Sequence, residues 1–515
     1  MTTIEPEKIH QSLAALRAEG YDFLRSLTGM DWGEEGLGVV YHLEKTATGE
    51  NKVVRTVTVH REHPELPSVC DIWKAAELNE REAYDFFGIR FIGHPDMRRL
   101  YLREDWIGHP FRKDYDESLN PLRMTNEEPE DATQHYEELP DGSVIKKRDV
   151  IFAQDEYIIN IGPQHPATHG VLRFRVSLEG EIIKKLDVHC GYIHRGIEKM
   201  CESLTYPQTL ALTDRLDYLS AHHNRHALCM CIEKAMGIEV SERVQYIRTI
   251  MDELQRIDSH LLFFSCLCMD LGALTAFFYG FRDREKILDI FEATTGGRLI
   301  QNYNTIGGVQ YDIAPDFVQK VKEFIAWLRP TLREYHEVFT GNIIAHGRLE
   351  GVGTLSREDA ISFGATGGTG RASGWACDVR KRHPYAMYGK VDFKEIVRTE
   401  GDSFARYMVR MEEIVESMNI IEQLIDNIPE GPFQEKTKAI IKVPEGSYYA
   451  AVEGSRGEFG VFLESRGDKY PYRLKFRSTG LPLVSIMDTV CQGAKIADLI
   501  AIGGTVDYVV PDIDR

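Results

Sequence analysis

Three stretches of this sequence set polar side chains where the surrounding residues are apolar or tightly turned. The first is Gly162-PQHPATHGVL-Arg173, in which His165 and His169 stand in a Pro/Gly-bracketed loop ahead of a β-patterned run. Histidine titrates near neutrality, and loops on rigid scaffolds commonly carry chemistry. A structural turn with hydrogen-bonded imidazoles would read the same way. The second is Asp270, inside the apolar run His260-LLFFSCLCMDLGALTAFFYG-Phe281. A carboxylate there is costly unless paired or protonated. It reads either as the cap of a helix that breaks at Leu271–Gly272 or as the partner that fixes a histidine's tautomer. The third is Asp214-RLDYL-Ser220, which puts Arg215 and Tyr218 three apart on one helix face, a pattern that is by itself usually structural.

Other constellations point to less chemistry. His222 and His226 share a helix face, but no third metal ligand is indicated, so solvent-facing or packed histidines are expected. The nine cysteines are scattered and include no C-x-x-C, so no zinc or iron–sulfur site of the chain's own is expected, and the thiols read as reduced. The glycine-rich run Gly364–Gly374 lacks the strand, spacing and acidic residue of a dinucleotide loop and reads as a backbone-packing segment. A net charge of −19 argues against a broad nucleic-acid face.

The elements that must position these groups fall into two modules. Residues 1–120 read as a small α+β unit, with a helix over Glu5–Arg17 and a hairpin of Val39–Leu43 and Val53–Val59 around Ala47–Glu50. Residues 121–150 read as an acidic linker, with seven acidic residues and no Lys or Arg from Asn126 to Asp141. Residues 151–515 open with strand Tyr157–Ile161 and the hairpin Val171–Leu178/Ile182–Val188. Helices are expected over Thr209–Met236, from an N-cap at Ser241, and over Pro315–Thr340 and Phe404–Ile428. Strands are expected at Ala439–Val443, Tyr448–Val452, Gly460–Glu464 and Arg473–Phe476. The fold class is α+β: a small α+β domain, then a mainly helical bundle with small peripheral sheets. The run His260–Phe281 reads as a buried helix rather than a membrane span, because of Asp270.

The motifs GPQHPATHG, HCGYIHRGIEK, DRLDY, the HLLFFSCLCMDLGA helix, SRGEFG and the terminal Asp507…Asp514-Arg515 resemble the D subunit of respiratory complex I, NADH–quinone oxidoreductase. EREAYDFFGIRFIGHPDMRRL…DWIGHPFRKDY resembles the signature of its C subunit. In order, on either side of the acidic linker, they suggest a C/D fusion. The D part is similar to the large subunit of nickel–iron hydrogenases, whose metal-holding cysteines are replaced here by Asp217, Ser220, Val509 and Asp512. The resemblance implies that the former metal cavity holds a quinone headgroup. His169 and Tyr218 would bond its carbonyls, with His165 in the same loop and Asp270 pairing with His169. Arg195, Arg215 and the segment of Ile300 and Thr305 would face a 4Fe–4S cluster on the neighbouring B subunit. The family motif R-M-H-x-x-Y-x-R-x-G-G-V reads Arg298-LIQNYNTIGG-Val309 here, so Ile300 replaces a histidine and Thr305 an arginine.

From this follow the expected activity and surroundings. The chain should pass electrons from that cluster to a membrane quinone, menaquinone by the Ile300 and Thr305 changes, within a proton-pumping complex. It should bind no cofactor alone. Its implied partners are the B and I subunits, the E/F/G or another input module, and the membrane-arm H and A subunits. Its place would be peripheral, on the cytoplasmic face of the inner membrane. The alternatives are a ferredoxin-fed relative, or an assembly scaffold with a vestigial pocket.

Overall fold

The computed structural model describes residues 1–120, 135–138, 144–147, 151–152, 156–164, 169–438 and 440–515. Helix α1 (Ile9–Ala18) buries Ile9, Leu13 and Leu16, the spacing of one helix face. It accompanies an antiparallel sheet of β1 (Phe23–Asp31), β2 (Leu37–Glu44) and β3 (Asn51–Thr58), with Thr2–Thr3 parallel to the edge of β3. Glu44 pairs with Asn51, so the expected hairpin turn is in place. Helix α2 (Ala76–Phe87) packs on β1, and its C-cap is the left-handed Gly88. The second module opens with a three-stranded sheet of β4 (Tyr157–Gln164), β5 (Leu172–Glu179) and β6 (Ile182–His189), with β5 in the centre.

The helical body follows: α3 (Ala221–Met236), α4 (Glu242–Asp270), α5 (Leu274–Thr295), α6 (Phe317–Tyr335) and α7 (Ser403–Leu424). A sheet of β7 (Gly446–Gly454), β8 (Gly457–Ser465) and β9 (Arg473–Arg477) lies against α3, and α8 (Leu499–Val506) packs on α4 and α7. The Ser241 hydroxyl accepts the Val244 N–H at 3.3 Å and so caps α4 as expected. Helix α4 is buried almost all round, and its inward charges are matched by other elements: Arg248 by Glu233, Asp252 by two histidines, His260 by Glu413. Among the described residues, no helix is long and apolar enough to cross a membrane.

Two expectations, a helix and a strand, are corrected. The helix expected over Thr209–Met236 is two helices, Tyr206–Thr213 and α3, with a turn over 214–220 between them. The Asn224 side chain takes the carbonyls of Thr213 and Asp217, and the Asp217 carboxylate takes the Leu219 N–H, so the backbone groups find partners without a helix. The run His260–Phe281 follows the reading in which a helix breaks at Leu271–Gly272: Ala273 N–H closes onto Cys268 O, Gly272 adopts φ +82°, and α5 then starts with exposed Leu274. Ile440–Val443 forms no strand, and Ala439 lies outside the described residues. Most of the acidic segment also lies outside them, but within it His135–Glu138 and Val144–Lys147 pair as antiparallel strands.

One apolar core runs through both modules. It joins Leu27, Phe87, Leu100 and Phe111 to Leu172, Val176, Ile361 and Ile513. Charges stitch the same boundary: Glu82 to Lys475 and Arg515, Arg25 to Glu458 at 2.5 Å, and Lys113 to Glu202 at 2.9 Å.

Candidate functional site

The 214–220 turn sits where three distant parts of the chain meet. Tyr218 is half-buried and packs with Leu219, with Leu262 and Cys266 of α4, with Phe281 of α5 and with Val509. Its hydroxyl makes no hydrogen bond among the described residues. Burial raises its pKa above the ordinary phenol value, while Arg456 opposes that rise. The phenol is therefore a proton donor at neutral pH.

Asp270 ends α4 on the same face, one turn beyond Cys266, and lies beside Gly504 of α8. Its carboxylate has no hydrogen-bond or ion-pair partner among the described residues, and burial alone pushes it up to about 6. Cys266 belongs to the same apolar cluster as Tyr218 and interacts electrostatically with both Tyr218 and Asp270. His169 has φ +45°, and its carbonyl accepts the Val510 N–H at 3.3 Å, so it is pinned to the segment whose Val509 packs on Tyr218. His165 lies outside the described residues.

The arginines gather on an exposed face next to this turn. Arg195 donates to the carbonyls of Arg215 and Pro511, both at 3.0 Å. The loop carrying Ile300 and Thr305 is tied to the same turn, since Asn302 N–H donates to Asp214 at 2.9 Å. Ile300 and Thr305 are half-buried, and the Thr305 carbonyl takes a bond from the buried Arg248.

The four positions of the hydrogenase-type ligands offer no metal cage. Asp217 is held by Arg456 at 3.2 Å, and the Ser220 hydroxyl accepts the Ser455 N–H. Val509 is apolar, and Asp512 accepts from Ser478, Thr479 and the Gly480 N–H. Oxygen and hydrocarbon replace thiolate, and the polar groups are already bonded to protein. The His222/His226 pair is also explained, because both Nδ1 atoms bond Asp252, at 2.7 and 2.8 Å. Cys70, Glu80 and His94 bring ligand atoms within 4.8 Å of one another, but both His94 nitrogens already meet backbone groups.

Sequence reasoning quoted Arg456 and Asp507 only inside the SRGEFG and terminal motifs and gave neither a role. Arg456 is fully buried and bonds Asp217, Ser259 (3.0 Å) and Asp507 (3.1 Å), while Arg410 approaches Asp507 at 3.3 Å. The available signal was the pair of glycines flanking close backbone crossings. A methyl group on Gly367 would fall 2.2 Å from the Arg456 carbonyl oxygen, so the Gly364–Gly374 run is indeed a packing device.

Comparisons with known proteins identify the family. The profile of the respiratory-chain NADH dehydrogenase 30 Kd subunit matches residues 2–120, and that of the 49 Kd subunit matches 270–442 and 437–515. The C/D subunit of the Phocaeicola vulgatus NADH-quinone oxidoreductase is 85% identical over 513 residues, 99% of each chain. The chain belongs to the family of NADH-quinone oxidoreductase C/D subunits. The C/D subunit of Bacteroides fragilis is 75% identical over 99% of both chains, and the D subunit of the Desulfotalea psychrophila enzyme is 48% identical over 71% of this chain. A solved archaeal respiratory membrane complex, the membrane-bound sulfane sulfur reductase, contains a chain superposing with TM-score 0.68 at 34% identity. The match covers 71% of this chain and all of that one. The protein is thus a subunit of an NADH–quinone oxidoreductase and works in a multisubunit respiratory complex.

Proposed function

We propose that Tyr218, Asp270 and His169 receive the headgroup of a membrane quinone, menaquinone by preference, with His165 as a further candidate contact. The carrying observation is an unengaged, protonated Tyr218 hydroxyl together with an unpartnered carboxyl near 6, both interacting with Cys266. Two-electron reduction puts negative charge on two carbonyl oxygens and calls for two protons. A phenol and a carboxyl that exchanges protons near neutrality, relayed through His169, are suited to supply them. An apolar tail has a surface to follow: Met269, Leu274, Phe278 and Ile500 are exposed around the end of α4, with Ile343 and Ile344 on the helix that contacts α8. The same face is suited to the membrane-arm H and A subunits at the cytoplasmic side of the membrane.

Electrons would be supplied by a 4Fe–4S cluster on the neighbouring B subunit. Arg195 and Arg215 present two permanent charges to that side, while Ile300 adds no titrating group. The test is Tyr218→Phe in the assembled complex. Phenylalanine keeps the packing against Leu262 and Val509 and removes one donor, which should cost about 10²–10³ in quinone reduction. NADH oxidation by a soluble acceptor should persist. A Tyr218→Phe complex that reduces quinone at the wild-type rate would sink the assignment.

A further inference from the structure

The Tyr218 turn is held in place by a side chain from the far end of the sequence. Arg456 lies in the tight connection from β7 to β8, where Gly457 (φ +134°) crosses the Thr366–Gly367 backbone at contact distance. That crossing leaves no room for a Cβ and directs the arginine inward. The guanidinium then makes a three-way tie: to Asp217, adjacent to Tyr218; to Ser259 on α4; and to Asp507, two residues before the Val509 that packs on the Tyr218 ring. We infer that Arg456 is a positioning residue of the quinone site, fixing the Tyr218 turn against α4 and the carboxy-terminal segment and holding a permanent cation beside the phenol.

This inference rests on the reading of Tyr218 as proton donor. The geometry separates two contributions. A planar fork can bridge two carboxylates and a hydroxyl together, whereas an ammonium on a flexible stem cannot hold the same three-way geometry. The charge acts on the phenol directly. The groups facing Tyr218 are Arg456, Asp217, Cys266 and Arg284. Arg284 is neutralised by Asp258 at 3.0 Å, and Asp217 and Cys266 disfavour the phenolate. Arg456 therefore opposes burial and keeps the proton transferable; without it the phenol is a weaker acid.

The experiment uses the assembled complex with three variants: Arg456→Lys, the charge-balanced pair Arg456→Gln with Asp217→Asn, and Tyr218→Phe. Arg456→Lys should raise the quinone KM about tenfold with kcat little changed, because charge is kept and position is lost. The balanced pair removes Arg456, which favours the phenolate, together with the smaller opposing influence of Asp217, so it should lower kcat by about tenfold. Replacing Tyr218 by 3,5-difluorotyrosine, a more acidic phenol, should restore most of that loss, and a purely structural role for Arg456 would show no such rescue. If Tyr218→Phe is inert, the reading of Tyr218 itself has failed. If Tyr218→Phe is impaired while both Arg456 variants match wild type, or the fluorinated phenol rescues nothing, the inference about Arg456 alone is overturned. Failure of both Arg456 variants to assemble, when Tyr218→Phe assembles, would overturn it too, by assigning Arg456 to the folding framework.

Discussion

The carboxy-terminal residue offers a sharp perturbation of how the two modules hold together. The Arg515 guanidinium is buried and donates to Glu82 of α2 at 2.6 Å and to Glu198 at 2.8 Å. It thus joins the first module to the second. In Arg515→Ala, Glu198 keeps Arg473 at 2.7 Å, but Glu82 is left with Lys475 alone. Removing one partner from a buried ion pair costs about 3–5 kcal/mol, since the remaining carboxylate stays desolvated. At about 1.4 kcal/mol per factor of ten, module association should weaken by about two to three and a half orders of magnitude. The assay places a protease site between Glu130 and Glu137, cleaves it, and follows release of the first module by size exclusion. Cleaved wild-type protein should stay associated through the shared core, and the Arg515→Ala protein should dissociate on dilution. The second module's own stability should also be acid-sensitive, with a definite sign, because Glu198 and the cations that hold it all belong to that module. Burial would raise the Glu198 carboxyl, but Lys475, Arg473 and Arg515 outweigh it and hold it well below the usual range. Its folded value is depressed, so its contribution is complete above the unfolded value of about 4.3 and is lost as pH falls through the folded one. Stability from this group should therefore be flat from neutrality to about pH 5 and decline below. Release of the first module from cleaved wild-type protein at neutral pH, or an Arg515→Ala protein that holds as tightly, would refute the argument.

Two further outcomes concern the pocket and the cluster face. If His169 and Asp270 act as one proton-supplying unit once quinone is bound, His169→Ala and Asp270→Asn should be strongly non-additive in quinone reductase rate; losses that multiply as independent factors would separate them. Ile300 cannot take up a proton, so the potential of the neighbouring cluster, titrated across about pH 6–8, should fall well short of the ~59 mV per pH unit of a fully coupled one-electron step, and Ile300→His should steepen it. A near-full slope in the unmodified complex would show that another group takes the histidine's role.

What the sequence made legible was what neighbours along the chain decide. The hairpin at Ala47–Glu50 needed only alternating strands and a turn, and the Ser241 cap needed only its own third neighbour. Asp270 was readable as the end of a helix for the same local reason, a glycine two residues on. The 214–220 turn was not readable. Periodicity carried the helix through it, and the residues that stop it act from the side: Asn224 from the next helix and Arg456 from 239 residues away. The histidines of α3 posed the same difficulty, since Asp252, which explains them, lies on another helix. Each case involves a buried polar or charged group whose cost is offset only by a partner brought in by the tertiary fold. Residue type flags such a group, and the partner decides whether it is structural or is left available to a substrate. Asp217 and Asp252 are matched within the chain. Tyr218 and Asp270 remain with polar atoms uncommitted among the described residues, and they stand at the edge of the exposed apolar surface rather than within the core. That difference in commitment, more than the residue types, separates the groups that hold this fold from those proposed to meet the quinone.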